Sequence, residues 1–118
     1  MSDEALISGT RIYSVGGKSP VFLSVTIGDL QAGGSSVLWE GEIIAEGEIT
    51  MVRIGKPGDW LQHKSVRVTT KVRDINPSTN RTSVTYTLEG GSARQSYPFW
   101  VQVSESSTAL YSICFVFV

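Results

Sequence analysis

Cysteine is almost missing from this sequence: Cys114 is the only one in 118 residues. One thiol closes no disulfide within the chain and excludes a cysteine-rich metal site. Set in the apolar run YSICFVFV, it reads as a small buried hydrophobe. Charge is scarce as well. Asp, Glu, Lys and Arg make up 18% of the chain, against about 25% in an average soluble domain. More of the surface must then be neutral or apolar, and a face that meets a partner or a second copy is the first functional expectation. The formal net charge of −1 lacks the basic excess that phosphate backbones require, so nucleic acid is not an expected partner.

Catalytic and targeting signals are missing too. His63 is the only histidine, and no Ser or Cys nucleophile motif accompanies it, so a nucleophilic centre finds no support. Gly16-Gly17-Lys18-Ser19 resembles the tail of a phosphate-binding loop, but Pro20 denies it the helix that would complete the cradle. No apolar run approaches the ~18 residues of a membrane span. The start, MSDEALISG, carries two acids in place of a basic leader, so a cytoplasmic protein without membrane attachment is expected. Asn80-Arg81-Thr82 matches a glycosylation acceptor but reads, without a leader, as turn chemistry.

What is present is alternation. In residues 64–88, Val66, Val68, Thr70 and Val72 interleave with Arg67, Thr69, Lys71 and Arg73. After the turn-forming residues 76–80, Val84, Tyr86 and Leu88 interleave with Ser83, Thr85 and Thr87. A period of two means one buried and one wet face, and the stretch predicts a long β-hairpin. Residues 21–28 predict a strand with Val21, Leu23, Val25 and Ile27 inward and Phe22 outward. Residues 29–36 read as a polar connection, and 6–15 as a weaker strand with neither parity cleanly apolar. Residues 39–54 place Glu40, Glu42, Glu46 and Glu48 on the even side, but Gly41, Gly47 and a parity change past Thr50 predict a bulge, a bend or two strands. Residues 97–103 and 109–118 complete the set, the last apolar on both faces.

The pattern predicts one all-β domain over residues 1–118, an antiparallel two-sheet β-sandwich of immunoglobulin-like or jelly-roll type with seven or eight strands. A small β-barrel is the alternative.

Three constellations could carry function. The basic side of residues 64–81 (Arg67, Lys71 and Arg73, with Lys64 and Arg81) faces the acids of residues 39–48 as a natural counterpart. The two stripes are expected to share a sheet face or to meet across an interface. The four Glu residues alone would form at most a weak divalent-cation site. Carboxylates two apart on a strand lie about 6.6 Å from each other, a spacing that glycosidases use, which makes hydrolysis a third-ranked reading. Trp60 in a Gly-Pro loop, Trp39 beside the acids and Trp100 on an outward parity could stack on a sugar or anchor a protein, with Arg53, Asp59, His63 and Arg94 at the same loop end.

The expectation is a non-enzymatic interaction module with no cofactor and no catalytic residue. It would self-associate or bind a protein partner, with a carbohydrate-binding module built on the Trp residues as the alternative.

Overall fold

The computed structural model describes residues 4–15, 20–56 and 59–118. It contains nine strands and no helix among the described residues: β1 Ala5–Tyr13, β2 Val21–Ile27, β3 Ala32–Trp39, β4 Glu42–Gly47, β5 Val52–Ile54, β6 Ser65–Arg73, β7 Arg81–Glu89, β8 Gln95–Gln102 and β9 Thr108–Phe117. They form two facing sheets, ordered β1-β9-β6-β3-β4 and β5-β2-β7-β8. This is the two-sheet sandwich rather than the closed barrel. All pairings are antiparallel except β1 with β9, which run parallel.

The central hairpin expected over residues 64–88 does not form. β6 lies between β3 and β9, whereas β7 lies between β2 and β8 in the other sheet. Both segments keep the alternation read from the sequence, because a strand in either sheet needs one buried and one wet face. Only the pairing differs, since the segment after β6 crosses the core as an arch. Its crossing is organised by Gln31, a buried side chain in the β2–β3 connection. Gln31 Oε1 accepts the backbone N–H groups of Ile75 and Asn76 at 2.7 and 2.8 Å. Gln31 Nε2 donates to Asp74 Oδ1 at 2.9 Å and to the Arg81 carbonyl at 3.0 Å. A hairpin turn satisfies its own backbone groups; an arch cannot, and a buried amide supplies the missing partners.

The 29–36 connection is shorter than expected, because β3 already begins at Ala32. Ser35 is buried there and bonds the Thr70 hydroxyl at 2.7 Å. At the other end of β3, Glu40 and Gly41 both have positive φ, +49° and +81°, as a two-residue type I′ turn requires. The turn folds β4 back on β3. Between them the register shifts so that Leu38 opposes Ile43 while Val37 opposes Ala45, leaving Ile44 as a bulge.

Between the sheets lies an aromatic seam. Phe115 packs against Tyr86 and Tyr97 at centroid distances of 5.6 and 5.1 Å, and Phe117 against Tyr13 and Trp39 at 6.3 and 6.1 Å. Its phenols stay bonded. Tyr86 donates across the sandwich to Thr70 at 2.9 Å, and the Tyr111 hydroxyl lies 2.6 Å from Thr82 Oγ1. The two sheets are thus tied by hydrogen bonds running in both directions through an otherwise apolar core.

Candidate interaction site

On the outer face of the five-stranded sheet, strand registers build rows. Thr10, Cys114, Arg67, Leu38 and Ile43 follow one another across β1, β9, β6, β3 and β4; the next row is Ser8, Ser112, Thr69, Ser36 and Glu46. Leu6, Leu110 and Lys71 form a third row, and Ile12, Val116 and Ser65 a fourth. Central strands with two apolar faces normally imply cover on both. Here the odd residues of β9 are buried, while Leu110, Cys114 and Val116 sit half-exposed. Leu6, Ile12 and Ile43 are 64%, 63% and 57% exposed. Cys114 is therefore not the buried hydrophobe the sequence suggested, since its parity turns it outward.

The basic stripe lies on this face. Arg67, Lys71 and Arg73 are exposed on β6, and none of them has an ion-pair partner among the described residues. Arg67 instead donates to Ser112 Oγ at 2.9 Å. The acids do not form a matching stripe, because the I′ turn and the bulge scatter them. Glu46 shares the outer face, opposite Ser36, but Glu42 opposes Trp39 on the other parity and Glu48 lies beyond β4. Only Glu40, in the turn, reaches a cation of the basic segment, Lys64, at 2.7 Å. Its carboxylate holds the Lys64 ammonium above the ordinary 10.5 by accepting that hydrogen bond. No group of three His, Cys, Asp or Glu side chains suited to a metal ion occurs among the described residues.

The three tryptophans do not share a platform. Trp39 is 6% exposed and packs edge-on to Phe117, so it belongs to the core and lacks the open face that stacking needs. Trp60, half-exposed, lies in the loop that leads from Ile54 to β6, at the end of the sandwich where β2 begins. Trp100 opposes Ser83 at the opposite end, where β2 runs out. It projects from the outer face of the four-stranded sheet, 57% exposed, with the Arg81 guanidinium 4.6 Å from its ring centroid. Its neighbours there are hydroxyls: Ser24, Thr87 and Ser96 form one row, and Thr26, Thr85 and Pro98 the next.

Arg53, Asp59, His63 and Arg94 do fall toward one end, as the loop reading anticipated, but they do not act together. Arg94 pairs with Glu89 at 3.3 Å, and Asp59 caps the Lys56 N–H at 2.8 Å. His63 is exposed, with its backbone N–H donating to the Phe117 carbonyl at 2.8 Å. Gly16-Gly17-Lys18-Ser19, Pro57 and Gly58 lie outside the described residues.

Sequence reasoning missed Gln31 and the free edge of β4. A lone Gln between two strands carries no local signal; only the arch above it makes it structural. Comparison with protein-family models, with curated proteins and with solved structures gave no match.

Proposed function

We propose that the protein is a non-enzymatic interaction module that self-associates through the outer face of its five-stranded sheet. The observation that supports this reading is the exposure, on one sheet face, of Leu6 beside half-exposed Leu110, of Ile12 beside half-exposed Val116, and of Ile43 beside Leu38. Several pairs of exposed aliphatics on one sheet face exceed the single apolar residues scattered over an ordinary surface, and such a face favours an interface. A second copy is the occupant whose chemistry matches. The face is neutral along β1 and β9, where the hydroxyls of Ser8 and Ser112 separate two aliphatic ends, cationic along β6 and anionic at Glu46, so a two-fold arrangement can bring unlike parts into contact.

Sedimentation equilibrium tests the proposal. The wild type should dimerise with an affinity that changes between about 0.1 M and about 1 M salt, where ion pairs are screened. Leu6→Lys combined with Ile12→Lys should leave a folded monomer. A wild type that stays monomeric at high concentration in both salts refutes the reading.

Trp100 supports a second reading, a carbohydrate-binding surface on the other sheet. An exposed indole bordered by Ser and Thr rows offers an apolar plate with hydroxyl partners, which suits a sugar ring. Tryptophan fluorescence titrated with a broad glycan panel should change, and the change should vanish in Trp100→Ala. No response from any glycan class removes this reading.

A further inference from the structure

The sandwich has four strand edges, and they are not equivalent. β5 is three residues long, and β8 carries Pro98, which has no N–H to offer. β1 is covered from the other sheet: Tyr97 donates its hydroxyl to the Ile12 carbonyl at 2.9 Å, and Arg11 lies over the Phe99 ring at 4.8 Å. β4 has none of these protections, only the bulge at Ile44. It pairs with β3 on one side only, and no backbone bond to a loop occupies its other side among the described residues. Five of its six residues are exposed.

An edge with unpaired N–H and C=O groups is a template for one more strand. Charge selects the occupant. β4 carries Glu42 and Glu46, Glu48 follows it, and no cation among the described residues pairs with any of the three. Two copies of β4 joined along this edge would crowd Glu42 and Glu46 of both into one seam with no cation between them, and concentrated like charge along a ladder is destabilising. The carboxylates that block a second copy favour a strand bearing Lys or Arg. A cleft of about 390 Å³ beside the edge, lined by Trp39, Glu40, Glu42 and Asp59 together with Arg53 and Lys56, offers room for one side chain of that strand.

We propose that the free edge of β4 takes an extended basic segment of a partner protein as an added strand. This surface is the rim of the sheet; Ile43 and Glu46 of β4 also border the outer face assigned to self-association, and the Leu6→Lys, Ile12→Lys variant separates the two readings.

The probe is a blocked peptide of alternating Lys and Val, titrated by calorimetry, with amide shifts followed by NMR. The wild type should bind it, with the largest shifts in residues 42–47. Glu42→Gln combined with Glu46→Gln, both at exposed sites that leave the core intact, should weaken binding about tenfold. The same peptide with alternate amides N-methylated keeps its charge but loses its donors, and should not bind. The Leu6→Lys, Ile12→Lys protein should bind as the wild type does. Absence of binding, equal binding of the N-methylated peptide, indifference to the Glu substitutions, or shifts confined to β1 and β9 would each overturn the proposal.

Discussion

At the scale of single residues, Gln31 holds more of the fold than its surroundings in the sequence suggest. Its amide bonds Ile75 N, Asn76 N, Asp74 Oδ1 and the Arg81 carbonyl, so removing it leaves several buried polar groups unpaired at once. Each such loss costs about 1–3 kcal/mol, partly offset where water enters. Gln31→Leu should therefore lower unfolding free energy by about 3 kcal/mol in urea titrations, more than an ordinary surface substitution does. Asp74 Oδ2 is buried without a partner among the described residues, and an ordered water there is the usual remedy. The core hydroxyls behave more simply. Tyr86→Phe removes one bond to Thr70 while Ser35 keeps that threonine partnered, so a loss of about 1 kcal/mol is expected by the same measurement.

At the scale of elements, the β3–β4 hairpin sets where the acids go. The I′ turn needs positive φ at both central residues, and Gly41 meets that need while Glu40 is strained. Gly41→Val should cost about 1–2 kcal/mol, the price of a side chain in the left-handed region. Glu40→Asn should instead be tolerated or mildly stabilising, because asparagine suits the first turn position. It also removes the carboxylate beside Lys64, whose titration should move down toward its ordinary value when followed by NMR. The glycines and the parity change in residues 39–54 were legible as interruptions. The side of the sheet each Glu would reach was not, because a one-residue bulge reverses every later side chain.

At the scale of the whole molecule, three buried phenols tie stability to alkaline pH. Burial raises Tyr86, Tyr97 and Tyr111 above their ordinary 10.0, Tyr86 most strongly. On unfolding these groups regain the ordinary value and release their protons first, so the unfolded state binds fewer protons once pH passes about 10. Their contribution is complete below that pH and is lost as pH rises through the native values. The Lys64 ammonium, raised by Glu40, acts in the same direction above 10.5. The urea midpoint should stay level from pH 7 to about 9.5 and then fall, and Tyr86→Phe should fall less steeply.

The sequence by itself determined the all-β class and which side of β2, β6 and β7 would be buried, but not the side of β9, whose two faces are both apolar. Those properties follow from side-chain period, which each strand carries locally. Strand partners were left to tertiary structure: two amphipathic segments joined by a turn-rich linker satisfy their apolar faces equally well in one sheet or across two. In the arch that forms, buried Gln31 supplies the partners that the linker backbone needs. The functional surfaces depended on that choice. Once β6 joined β3 and β9, its cations fell in the middle of the exposed outer face, Trp39 turned into the core, and β4 was left as the open edge.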